Sequence, residues 1–218
     1  MPAKPEPIVS ELLGRYGRLY CEEANIRLAD RPAPLYQLLV LATLLSARIS
    51  ADIAVAAARE LLASGYRSAR AMRDASWQDR VDALGRGHYR RYDERTATML
   101  GDGAQLLITR WRGDLRRLRD QAHGDARGIA SLLTEFPGLG PTGADIFLRE
   151  VQQVWSAVAP YVDARMSSGA RRVGLPGDHE SLAKLLADSG EPARLAAALV
   201  RVSLSQRAAS EVTAAIRD

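Results

Sequence analysis

Apolar residues recur at intervals of three and four along almost the whole chain, and almost nothing alternates at period two. Helical stripes run through residues 8–20, 35–45, 52–64 and 77–84, and again through 95–111, 126–136, 143–155, 179–189 and 192–206. Stop and start residues stand between them: "DRPAP" at 30–34, "GRGH" at 85–88, "FPGLGP" at 136–141 and "GLPGDH" at 174–179. There is no tandem repeat, low-complexity segment or long linker. The pattern predicts a compact all-α chain of about ten helices.

The break at 136–141 is the most informative. One stripe ends at Phe136 and the next begins near Pro141, so only a tight helix-to-helix turn fits between them. Gly138 and Gly140 allow positive φ and close backbone approach, and Pro141 suits a first helical position. Leu139 sits between the glycines as an apolar plug. Such a turn aims backbone N–H groups outward beside a helix N-terminus, which suits a phosphate. A plain αα-hairpin accounts for the same residues equally well.

Composition narrows the partners. A chain of 218 residues buries one good core or two small ones. Its 47% apolar and 26% charged residues are those of an ordinary globular protein. No run approaches the roughly 18 apolar residues of a membrane span, and "MPAKPEP" lacks the apolar core of a signal peptide, so a short tail on a cytoplasmic, monomeric protein is expected. Only Lys4 and Lys184 are lysines among the 30 basic residues; the other 28 are arginines, which cannot act as amine nucleophiles. A net charge of +4 and a pI near 9.5 fit an anionic partner. Cys21 is the single cysteine, which excludes an intramolecular disulfide and any four-cysteine metal site.

"FPGLGPTGADIFL" (136–148) followed by "APYVDAR" (159–165) resembles the helix-hairpin-helix and downstream aspartate of the endonuclease III-like DNA glycosylase superfamily. "PLYQLLVLATLLSARIS" (34–50) is similar to that family's apolar helix, and "GRGHYRRYDERTATMLGDGAQLL" (85–107) occupies the place of its Gly-rich loop and following helix. The resemblance covers residues from about 30 to 175. It implies an all-α, two-lobed fold with a DNA-binding cleft. A six-helix lobe would span 30–135, and residues 1–29 plus 136–218 would form the second lobe, carrying the hairpin at 136–147. The implied partner is double-stranded DNA containing a damaged or mismatched base, flipped out of the stack.

The resemblance also assigns roles. Asp163 matches the catalytic aspartate; its context equally suits a simple helix N-cap, and the two roles are compatible, since capping N–H groups keep a carboxylate ionised. An ionised Asp163 would stabilise positive charge on the sugar as the base leaves. Thr142 stands where bifunctional members carry the lysine that forms a Schiff base and supports strand cleavage. Threonine cannot do this, so a monofunctional enzyme is expected. The interval from Thr142 to Asp163 is about three residues longer than in typical members. Ala42 replaces the glutamate of adenine-removing members, and no iron–sulfur cluster can form, although a monovalent cation on the hairpin carbonyls is compatible with the family.

DNA contacts are expected from Gly138, Leu139, Gly140 and Thr142 of the hairpin. Arg48 aligns with a gap-filling glutamine. His88 or Tyr89 would be the wedge between bases. Arg165, with Arg86, Arg90, Arg91, Arg171 and Arg172, is a candidate phosphate contact. Trp77, Trp111 and Trp155 are expected in the core. The competing function is a DNA-binding protein that keeps the hairpin for damaged or abasic DNA but has lost catalysis.

Overall fold

The computed structural model describes residues 5–216; Lys4 lies outside them. Among the described residues the chain is entirely helical, with fourteen α-helices and no strand. These are α1 (Pro5–Tyr16), α2 (Tyr20–Glu23), α3 (Pro32–Leu45), α4 (Ala51–Ala63), α5 (Ala69–Asp74), α6 (Trp77–Arg86), α7 (Asp93–Trp111), α8 (Leu115–Gln121), α9 (Ala126–Leu133), α10 (Pro141–Val151), α11 (Ala164–Arg172), α12 (His179–Asp188), α13 (Pro192–Leu204) and α14 (Gln206–Ala215). Every expected stripe is a helix. The number exceeds the expected ten because α2, α5 and α8, of four, six and seven residues, are too short to display a face, and because α11 and α14 lie outside the nine stripes. For the same reason the stretch 30–135 holds seven helices rather than six.

The helices form two compact units, Cys21–Ala157 and a second made of Met1–Tyr20 with Val158–Asp218. The hairpin and α10, which the sequence groups with the terminal segments, pack inside the 21–157 unit. The reason lies in α10 itself, which buries Ala144, Ile146, Phe147, Leu148 and Val151 and packs mainly on α3.

In the 21–157 unit α3 is the central helix. Leu35, Tyr36, Leu38, Leu39, Val40, Leu41, Ala42 and Leu44 are all buried, and a helix apolar on every side belongs in a core. Start signals work locally: Ser50, Ser68 and Ser76 each accept a backbone N–H at the start of α4, α5 and α6, and Ser76 forms a reciprocal capping box with Asp79. Arg80 is buried at 8% exposure and satisfied by carbonyls. Its Nε donates to Ala97 O at 2.8 Å, and its Nη1 to Met72 O at 3.0 Å and Ala75 O at 2.7 Å, tying α6 to α7 and to the end of α5. Trp111 and Trp155 are buried as expected, but Trp77 is 40% exposed at the start of α6, its indole N–H donating to Thr98 Oγ1. A ring at the edge of an amphipathic face has the period of a core residue without its depth.

The second unit is built around α13, against which α1 and α11 pack. Ile8, Leu12, Met166, Ala170, Leu182, Leu195, Leu199 and Val212 belong to its core. Gly169 sets the approach of α11 to α13: a Cβ added there would lie 1.9 Å from the Leu199 carbonyl oxygen. No helix among the described residues is long and apolar enough to cross a membrane.

Candidate nucleic-acid interface

The turn between α9 and α10 is anchored on both sides. Phe136 stacks on Trp111 of α7 with ring centroids 5.6 Å apart, and Glu135 pairs with Arg110. The Arg110 guanidinium in turn lies 4.5 Å over the Trp111 ring. Leu139 is buried, and its N–H donates to Phe136 O. The plug reading of Leu139 therefore fits, while its side chain is turned away from any ligand. Gly143 accommodates it, since a Cβ there would meet Leu139 Cδ1 at 2.6 Å.

Gly138 and Gly140 are exposed but differ in backbone. Gly138 has φ +81°, the left-handed region that glycine favours. Gly140 is extended at φ −82°, ψ −173°, and a Cβ there would meet nothing. Positive φ thus explains only the first glycine. Gly140 is the N-cap of α10, and no side chain caps that helix. With Pro141 first and Thr142 exposed behind it, the first-turn N–H groups of Thr142 and Gly143 have no intrahelical acceptor. An anion is the natural partner for such a terminus.

The hairpin is joined to the end of α3. Ser46 Oγ donates to Thr43 O at 2.8 Å and lies 3.3 Å from Gly138 O. Arg48 follows in the turn after α3 and is exposed. Here Thr43, Ser46, Arg48, Tyr89, Arg95 and Gly138 line an open pocket of about 370 Å³. It brings together three residues expected from sequence, Arg48, Tyr89 and Gly138. Tyr92, the N-cap of α7, and Arg95 and Met99 on that helix also line it, although in sequence they form only an ordinary helix start and amphipathic face.

The wedge assignment is corrected in part. Tyr89 is buried at 2% exposure, and its hydroxyl pairs with Thr96 Oγ1 at 3.2 Å, so it supports the pocket wall and does not project. His88 is exposed with φ +62° and presents itself at the turn. Among the arginines, Arg86 bonds Glu60 and Ser64, Arg91 lies 5.2 Å over the Tyr92 ring, and Arg171 donates to Gly177 O. Arg90, Arg165 and Arg172 are exposed.

In the terminal unit Asp163 is the N-cap of α11. Its Oδ1 accepts from Arg165 N at 2.7 Å and Met166 N at 3.0 Å. The local sequence "YVDARMSS" thus forms the cap that its residue types favour. Two bonds to one oxygen fix the carboxylate against the helix terminus.

Cys21 is buried, and that burial, with the nearby Glu150 carboxylate, pushes its thiol far above the usual range, out of reach of thiolate chemistry. Among the described residues no group of three or more His, Cys, Asp and Glu side chains comes together as a metal site. The Phe136 carbonyl already accepts from Leu139 N–H, and the Gly138 carbonyl lies 3.3 Å from Ser46 Oγ, so a cation on the hairpin would share both with these neighbours. No family model, curated protein or solved structure matches the chain.

Proposed function

We propose that the chain is a monofunctional DNA glycosylase that hydrolyses the bond between a damaged or mismatched base and deoxyribose in duplex DNA. The observation that carries this reading is Asp163, a carboxylate fixed by two backbone N–H groups at the start of α11, within a motif that resembles the family's catalytic segment. The uncapped, exposed N-terminus of α10 behind the Gly138–Gly140 turn supports it as a phosphate seat. The basic composition supports an anionic partner.

In this reading the glycosidic bond breaks with its electron pair leaving on the base, and Asp163 stabilises the cationic sugar electrostatically. Water then attacks C1′ and gives up a proton to solvent through the carboxylate. Thr142 offers no amine, so no imine forms and the strand stays intact. Hairpin N–H groups hold a phosphate, and Arg48 stands beside the vacated stack.

A panel of single-lesion duplexes tests this. Release should leave intact strands bearing abasic sites that break only with added alkali, and borohydride should trap no covalent complex. Asp163→Asn should slow release by about a hundredfold or more, the scale of losing one well-placed electrostatic group, while abasic-DNA binding survives. Undiminished release by folded Asp163→Asn sinks the mechanism. A wild type that binds abasic DNA but releases no base favours the non-catalytic alternative.

A further inference from the structure

On the glycosylase reading, the pocket beside Arg48 limits which bases the enzyme takes. Its polar inventory is one-sided. Arg48 and Arg95 are exposed and line it, and neither forms an ion pair with another described residue. No aspartate or glutamate lines it. The hydroxyl protons of Thr43 and Ser46 are spent on backbone carbonyls, Thr43 Oγ1 donating to Leu39 O at 2.9 Å. The Tyr89 and Thr96 hydroxyls are engaged with each other. Beside the Tyr92 hydroxyl and the one proton that the Tyr89–Thr96 pair leaves over, the charged donors facing a ligand are the two guanidiniums.

The aromatic wall points the same way. Electron-rich rings attract cations, but Tyr92 already carries the Arg91 guanidinium 5.2 Å from its ring centroid. A second cation on that ring would meet the first. The pocket therefore has no anionic group to compensate positive charge, and two cationic groups that repel it.

We propose that this pocket receives a neutral or weakly acidic base whose edge carries carbonyl oxygens, and that Arg95 is the specificity-determining residue that turns away bases bearing a fixed positive charge. A guanidinium donates two parallel N–H groups to carbonyl and ring-nitrogen acceptors, and the same charge opposes an alkylated, cationic ring. Arg95 sits in the first turn of α7 and so is held by a helix, whereas Arg48 lies in a turn.

Lesions of similar size and opposite charge character test this, with the Arg95 variants isolating the charge. Release of 8-oxoguanine is compared with 7-methylguanine, and of hypoxanthine with 3-methyladenine, in otherwise identical duplexes under single-turnover conditions. Expressed as enhancement over the uncatalysed loss of the same base, which is far faster for the cationic lesions, the wild type should favour the neutral member of each pair by on the order of tenfold or more. Arg95→Glu should shrink or reverse that ratio, and Arg95→Gln should fall between. A wild type that prefers the cationic members, or an Arg95→Glu variant with an unchanged ratio, overturns the inference while leaving the glycosylase reading intact. If no duplex is turned over, the function itself is wrong, and a second measurement still decides the pocket. The Met99 methyl resonance is followed during titration with inosine and with 7-methylguanosine in mildly acidic buffer, where the latter is cationic. A shift with inosine alone supports the pocket chemistry; an equal or larger shift with 7-methylguanosine, or none with inosine, overturns it.

Discussion

Replacing Gly169 with alanine sets two calculable effects against each other. Alanine in a helix interior is favoured over glycine by up to about 1 kcal/mol. In α11, however, the new Cβ would sit 1.9 Å from the Leu199 carbonyl oxygen and 2.8 Å from its carbonyl carbon. A carbon meets a carbonyl oxygen comfortably at about 3.3 Å, so α11 and α13 would have to separate by more than about 1 Å. The obstacle is backbone, which has no alternative rotamer, so the overpacking cost belongs at the upper end of the usual range, about 3 kcal/mol. The net loss is about 2 kcal/mol, which at an m-value of about 2 kcal/mol/M moves the urea midpoint down by about 1 M. All three tryptophans lie in the 21–157 unit. The transition of the terminal unit is therefore followed by far-UV circular dichroism rather than indole fluorescence. Gly14→Ala in α1, where a Cβ meets nothing, is the control and should gain about 0.5–1 kcal/mol. A Gly169→Ala midpoint at or above that of the wild type would refute the reasoning. Because Asp163 caps the same helix, base release should fall along with stability.

Gly140→Asp should leave the unfolding free energy within about 0.5 kcal/mol of wild type, since its Cβ enters open space, yet weaken binding to duplexes of every sequence; unchanged affinity in the folded variant removes the hairpin from the interface. Wild-type affinity should drop steeply with added salt as counterions are released. Arg80→Met should cost about 3 kcal/mol by stranding the carbonyls of Met72, Ala75 and Ala97, and denaturation showing a loss near zero would mean that water replaces the guanidinium. Glu211 accepts from the Tyr16 hydroxyl and from Arg207, which hold its carboxyl below the ordinary carboxylate range. That contribution is present above the unfolded-state value and is lost as pH falls through the folded one. Thermal melts should show Glu211→Gln less stable than wild type at neutral pH, the gap closing in acid; a constant gap contradicts the linkage.

What the sequence displayed was what local physics controls. The nine apolar stripes are helices because a period of 3.6 residues is written in side chains alone. The turn at 136–141 and the cap at Asp163 were legible because glycine, proline and aspartate have few other uses in such positions. Depth was not legible. Tyr89 and His88 are neighbours in one loop, yet only the fold decides that the tyrosine turns inward to Thr96 while the histidine faces out. Arg80 lies within the 77–84 stripe, and nothing short of three converging carbonyls marks it as buried. Trp77 erred in the other direction. The pocket escaped notice for a similar reason: Arg48, Arg95 and Gly138 come from three separate segments, and no single window of sequence contains them.

The second unit is assembled from segments on either side of residues 21–157, with α1 resting on α13 and α14. On the ribosome α1 emerges before the 21–157 unit and finds no partner until α13 and α14 have followed it. The 21–157 unit, continuous in sequence, can complete its core in the meantime. Throughout that interval Ile8 and Leu12, buried in the finished fold, are an exposed apolar stripe on a nascent helix. Translation speed and chaperone access thus bear on α1 more than on any other helix, and a pause late in synthesis prolongs the window in which this segment can find the wrong partner.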